Sequence, residues 1–488
     1  FTRREIRDLT DVDREAFLDA LQIWYTIPND EGKGEYGAGF ENYQLTTVYH
    51  NAQVDFFCYH VGLQFLTSHF AFDLAMERHL QMIDPTVSLP IWDFMLDSSL
   101  LGHKWYNSII FDKDWFGSAF GSPDNDFTMS DGRFANISTI YDPPLDDTDA
   151  SRTVQYPTAI HPYHDPYGRV NAPNNYQDLP TLSRTSSFCD LTSHATIATA
   201  ETFVACFEDN DNMFDWESCM ETNVHGDLHG LLGGAFHCNT DMSAFSREHP
   251  EYSPSLLSFA LEHMTFTFWP TNSFLPSANT CDTRCSRRSS PEKAGDDEVE
   301  CGCTCGIDAF EISDDEVYAY MKDFMLSASF KFQGDQDAPY PYGFMQDADR
   351  LSDEKNLLLM RYLVKIGCEP GGVGYLSTLA SPLDPVFFLM HAIFTKALHL
   401  LWLSAKYNDV YKFEWVDGLC PGSGFTDELP FSGEIISIGL GTGTTFMTNE
   451  RILEVMHPQN PAVPFVYEKF ATWGTSSSND WDPFLDAS

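Results

Sequence analysis

The chain has 488 residues, a formal net charge of −44, 43% hydrophobic residues and 14% aromatic residues. Such acidity excludes nucleic acid and anionic membrane surfaces as partners, and the apolar content excludes a disordered chain. No apolar run reaches the ~18 residues that a membrane span needs, and the length exceeds the roughly 250–300 residues over which a single core grows, so one large domain with insertions, or two units, is expected.

The start, "FTRREIRDLT", has no Met and no signal-peptide pattern, and reads as a processed or trimmed start. A first helix is predicted from Thr10, a capping residue with Asp13 three positions on, and from Phe17, Leu18, Leu21 and Trp24 at helical spacing. An amphipathic helix follows over 72–83, stopped by Asp84-Pro85. Residues 97–190 are rich in Asp, Pro, Asn, Ser and Gly and read as long loops with short strands. Helical patterns return at 197–208 and 216–232. Ser313 and Glu316 form a capping box flanked by a staple of Ile312 and Val317. A further helix over 352–367 ends near Gly367. The segment from 384 to 408 predicts a long helix, capped by Asp384, with Pro385 in its first turn; its all-round apolarity places it at the centre of the domain. From 420 to 470 the pattern becomes β-like, clearest in "EIISIGLGTGTTF", and 475–488 reads as a loose polar tail.

Twelve cysteines are present, five of them in one stretch: Cys281, Cys285, Cys301, Cys303 and Cys305. Their spacing departs from the paired CxxC of zinc sites and favours a disulfide-stapled loop over a zinc knuckle. With the sequon at Asn136, this points to a secreted or extracellular glycoprotein.

Three groups stand out among sixteen histidines: His50, His60 and His69; His225 and His229, spaced i,i+4 so that both rings share a helix face; and His391 in the apolar helix. Any one of these alone reads as an ordinary core residue. Six buried imidazoles, however, are costly unless each finds a partner. Copper favours imidazole nitrogen, and two helix-borne triads facing one another would cage two ions.

The surrounding motifs resemble the tyrosinase, catechol oxidase and molluscan hemocyanin family of type 3 dicopper proteins. "RREIRDLTDVDREAFLDAL" is similar to the family's opening helix. "HVGLQFLTSHFAFDLAMERHLQMIDPTVSLPIWDF" is similar to its first copper motif, "HGDLHGLLGG" to the start of the second, and "SPLDPVFFLMH" to its end. "FVY" at Phe465–Tyr467 resembles a late aromatic-x-Tyr motif that packs on an N-terminal Arg. The resemblance implies two copper ions, one on His50, His60 and His69 and the other on His225, His229 and His391. It also implies a thioether between Cys58 and a copper-site His, Phe387 as a wall of the site, and Glu217 as a carboxylate orienting a water.

Some positions depart from the family pattern. Gly226 stands where efficient monophenol hydroxylases often carry Asn, Phe70 where an Arg is common, Met390 in place of a His, and Thr395-Lys396 in place of Asp-Arg. Such neighbours orient ligands and tune the metal, so strong monophenolase activity is not expected.

The expected fold is mainly α: a four-helix bundle enclosing a dinuclear copper centre, with long loops and minor β, plus a large helical and Cys-rich insertion. The dicopper core would comprise 1–234 and 369–474, the insertion 235–368. The function implied by the resemblance is oxidation of o-diphenols to o-quinones by O2, with phenolic or catecholic small molecules as partners. A non-catalytic extracellular protein of the same fold, either an O2 binder or a structural or assembly protein, is the alternative. No nucleic acid and no membrane span are expected, and a homo-oligomer or extracellular assembly is left open.

Overall fold

A computed structural model describes residues 1–51, 59–60, 62–125, 127–135, 137, 181–192, 196–236, 238, 240–264, 280–281, 303–304, 307–327, 339–346, 349–368, 372–378, 380–404, 406–407, 415–417, 423–432 and 446–470. Helix dominates these residues. The helices are α1 (Asp11–Thr26), α2 (Asn29–Tyr36), α3 (Tyr43–Asn51), α4 (Gln64–Ile83), α5 (Phe94–Leu101), α6 (Ala200–Glu208), α7 (Met213–Cys219), α8 (Asp227–Gly233), α9 (Met242–Glu248), α10 (Pro254–His263), α11 (Asp314–Ser327), α12 (Asp353–Cys368), α13 (Val386–Leu403) and α14 (Asn449–Met456). A π-helical turn, Met220–Gly226, joins α7 to α8.

The strands are short: β1 (Thr2–Arg3), β2 (Ser187–Phe188), β3 (Leu191–Thr192), β4 (Ala235–Phe236), β5 (Thr280–Cys281), β6 (Cys303–Thr304), β7 (Met345–Gln346), β8 (Asp349–Arg350), β9 (Gly372–Val373), β10 (Glu428–Ser432), β11 (Phe446–Thr448) and β12 (Val466–Tyr467). Four of them form one sheet in the order β3-β2-β4-β9. The strands β4 and β9 are antiparallel neighbours, Ala235 opposite Val373 and Phe236 opposite Gly372, so the chain leaves and returns to the sheet side by side.

Local chemistry explains the element ends. Thr10 accepts from the Asp13 N–H at 3.1 Å. Ser313 and Glu316 exchange bonds, Ser313 N to Glu316 Oε2 at 2.9 Å and Glu316 N to Ser313 Oγ at 3.3 Å, closing the capping box. Asp384 does more than cap. One carboxylate oxygen accepts from Val386 N at 3.1 Å, and both bind Arg184, each at 2.6 Å, with neither side chain exposed.

Three expectations change. The helix placed at 72–83 begins at Gln64, because its first two turns are buried all round and carry no amphipathic period. Residues 449–456 are helix rather than strand: Thr448 caps them through Arg451 N, and Ile452, Val455 and Met456 share the inner face. The helix α13 is, by length and composition, apolar enough to cross a membrane, but 89% of it is buried within the protein, as a core helix. The segment "EIISIGLGTGTTF" lies outside the described residues except for Phe446, as does the tail from 475.

Two apolar clusters result. One gathers α1, α3, α4, α5, α6, α7, α8, α13 and α14 around Trp24, Trp92 and Trp216. The other draws on described residues between Ala235 and Val373, together with Phe188, Cys189 and Leu191. A disulfide, Cys189–Cys238, ties the β2–β3 turn to the chain just after β4, and Cys206–Cys219 ties α6 to α7. The backbones of Cys281 and Cys303 pair across β5 and β6, while Cys285, Cys301 and Cys305 lie outside the described residues. At the N-terminus, β1 pairs in parallel with β12. The Arg3 guanidinium lies 3.5 Å from the centre of the Phe465 ring and 2.6 Å from Glu77 of α4, stitching both ends of the chain to the helix that carries His69.

Candidate metal centre

Six histidines meet in the core between α3, α4, the helical stretch 213–233 and α13. One ring nitrogen from each of His50, His60 and His69 lies within 4.8 Å of the other two, and the same holds for one from each of His225, His229 and His391. The sources differ. His50 is at the end of α3, His60 in the turn before α4, and His69 in the second turn of α4. His225 is in the π turn, His229 in α8 and His391 in α13. The two groups face each other: the His69 and His391 rings stack at 4.4 Å and 7°, and the His60 and His225 rings lie 5.8 Å apart at 20°.

The nitrogens are arranged as a metal would require. His69 donates from Nδ1 to the Phe65 carbonyl at 2.8 Å, and His229 from Nδ1 to the Leu376 carbonyl at 2.7 Å. Each bond fixes a tautomer whose Nε2 carries only a lone pair. His69 Nε2 is buried without a partner. In the second group, His225 and His229 Nε2 stand 3.2 and 3.1 Å from His391 Nε2. Nitrogens about 2.0–2.1 Å from a shared ion in tetrahedral-like geometry would be roughly 3.3 Å apart. With no metal, a single Nε2 proton on His391 would have to be shared between His225 and His229. A cation at their centre removes the conflict, so the residues fit a metal.

Electrostatics agree. Burial, reinforced by the neighbouring rings, pushes His60, His69, His225 and His391 well below the ordinary imidazole range. Burial also lowers His229 to about 4, although Leu376 and Asp384 pull the other way. All are neutral near pH 7, the form in which imidazole binds a metal.

Phenylalanines wall the centre. The Phe387 ring is 4.0 Å from His391 and 5.1 Å from His50, which places it against both groups. Sequence reasoning missed Phe65, 4.5 Å from His69 and 5.0 Å from His225, and Phe394, 5.4 Å from His225. Their spacing was the available signal, since Phe65 is four residues before His69 and Phe394 three after His391, each on its ligand's helix face. Arg184, the partner of Asp384, came from a stretch read as loop and had no such signal. Glu217 is wholly buried in α7, and burial beside Glu221 holds its carboxyl well above the usual range. Cys58 and Asn136 lie outside the described residues.

The departing positions other than Gly226 are buried. Phe70 is buried 6.2 Å from the Phe465 ring, Met390 is buried, and Lys396 is buried within the field of Asp93. Other histidines serve the scaffold: His79 Nδ1 accepts from Glu41 N at 3.3 Å, and His399 Nε2 donates to the Met456 carbonyl at 2.6 Å.

Residues 35–254 match the family profile described as the common central domain of tyrosinase. A tyrosinase of Aspergillus oryzae (strain ATCC 42149 / RIB 40) is 26% identical over 173 residues, which cover 33% of this chain and 29% of that protein. The chain thus spans under a third of the relative's length. Five of the six histidines fall inside the matched stretch, and the fold brings the sixth, His391, to them from outside it. Residues 35–254 are thus similar to the central domain of the tyrosinase family.

Proposed function

We propose that the protein is a type 3 copper oxidoreductase that oxidises o-diphenols to o-quinones with O2. The observation that carries this reading is the pair of facing imidazole triads, in which the fixed tautomers of His69 and His229 leave an Nε2 lone pair free for each triad. His50, His60 and His69 would hold one copper, and His225, His229 and His391 the other. When bound, the copper pair supplies the redox chemistry that couples O2 reduction to removal of two electrons from the diphenol.

The chain's own residues do the rest. Phe65, Phe387 and Phe394 exclude water and offer flat apolar surfaces to an aromatic ring. The buried Glu217 carboxyl gives up its proton less readily than a free one, and by the resemblance it would hold or pass a proton near the centre. Cys58, by the resemblance, would brace a ligand through a thioether. Residues 235–368 would form an insertion on the dicopper core of 1–234 and 369–474. The disulfides favour an oxidising compartment, hence secretion, with Asn136 open to glycosylation.

The test is copper-loaded protein assayed on catechol beside a His225→Ala variant. The expected outcome is two coppers per chain and quinone formation in the wild type, one copper and at least a hundred-fold slower turnover in the variant, roughly the loss of a preorganised catalytic element. Full copper with no quinone would leave an O2 binder of this fold, and no copper would leave a structural protein.

A further inference from the structure

We propose that Glu262, on α10 between β4 and β9, is a positioning residue for the second triad, holding α8 with its His229, and the π turn with His225 before it, where His391 can meet them. The inference rests on the reading of that triad as a copper site. Gly230 follows His229 directly. A Cβ on Gly230 would collide with Glu262 Oε1 and stand 2.7 Å from its Cδ and Cγ, so the carboxyl lies flat on the α8 backbone in a notch that only glycine leaves open. Glu262 is 8% exposed. Seating a carboxyl there, within the field of Asp227, is more costly than seating an apolar side chain.

The rest of α8 is fitted in the same way. A Cβ on Gly233 would strike Ser377, and one on Gly234, at φ +61°, would strike the Thr185 carbonyl. Two notches are therefore filled by the segments at 185 and 377 and the third by α10. Support on the α10 side matters because α8 follows directly on the π turn that carries His225. A π turn is a local departure from regular helix geometry, common at functional sites. The same strands serve both ends of the arrangement. The chain leaves α8 through Gly234 into β4 and returns through β9 to Leu376, whose carbonyl orients His229. Glu262 thus completes a clamp whose other jaw is the Leu376 carbonyl.

The experiment uses the full chain in two backgrounds. In His50→Ala the remaining copper belongs to the second triad, and in His225→Ala to the first. Copper is titrated against a chelator, and amide hydrogen exchange over 225–233 is followed in metal-free protein. Glu262→Ala is expected to weaken copper 10- to 100-fold in the His50→Ala background, the range for residues that orient a ligand. It should leave affinity unchanged in the His225→Ala background and speed exchange over 225–233. Glu262→Gln, which keeps the shape, restores both readouts, and Gly230→Ala reproduces the loss. Equal weakening in both backgrounds, or no change in either, overturns the proposal. If Glu262→Ala does not fold, Gly230→Ala and Glu262→Gln decide by the same criterion. Should the wild type bind no copper, the site reading fails, while exchange over 225–233 still tests whether Glu262 holds α8.

Discussion

Single residues show how burial sets chemistry in this core. His79, on α4, is buried beside Phe40 and Glu41, and burial lowers it to about 4 from its ordinary 6.5. The folded ring stays neutral while the unfolded ring takes a proton below pH 6.5. Unfolding therefore binds protons in that window. The stability tied to His79 is complete above about pH 6.5 and is lost as pH falls toward 4, by on the order of 3 kcal/mol. His79→Asn, whose Oδ1 can still accept from Glu41 N, should flatten the pH dependence of urea unfolding between pH 4 and 6.5; an unchanged slope would refute this. Gly226 makes a second case. A Cβ there meets nothing closer than the Glu221 carbonyl at 3.6 Å, and its φ of −57° suits any residue. Gly226→Asn should therefore fold at least as well as the wild type, since glycine inside a helix costs roughly 0.5–1 kcal/mol relative to alanine. By the family resemblance it should also raise the ratio of monophenol to diphenol turnover, measured on a matched phenol and catechol.

Elements are held to the centre by buried charge. Arg184 and Asp384 bind bidentately with no exposure, joining the strand region before β2 to the first turn of α13. Arg184→Met would leave Asp384 buried without its partner and should cost about 3–5 kcal/mol in thermal or denaturant unfolding. The double variant Arg184→Met/Asp384→Leu should recover part of that loss, with the Val386 cap still missing. Full stability in the single variant would show that water reaches the pair. This element also marks what could be read in advance. Asp384 announced itself as a cap before an apolar helix, and every histidine of the two triads except His50 lay in a recognisable motif. Arg184 could not be found, because its role depends on a contact across 200 positions. The first half of α4 was missed for the opposite reason: a helix buried on every side loses the polar stripe by which helices are recognised. The π turn at Met220–Gly226 has no compositional mark at all.

At the scale of the molecule, the charge of −44 repels itself whatever the fold. Surface pairs such as Arg133 with Glu15 and Asp19 are each worth little. Added salt should therefore raise the melting temperature, as screening at a Debye length of about 8 Å near 0.15 M relieves the repulsion. A melting temperature that falls between 0.02 and 0.5 M salt, roughly a fivefold shortening of the Debye length, would mean that surface pairs outweigh it.

The adjacency of β4 and β9 bears on how the chain reaches this state. A core that draws its last histidine from α13 must wait for a long intervening stretch, and bringing distant positions together costs loop entropy. Because that stretch ends on two strands already side by side, its own collapse delivers Ala235 to Val373. For the remaining chain the gap then closes as if it were a hairpin. A cluster within 235–373 that formed first would act as a clip and shorten the path by which His391 finds His225 and His229.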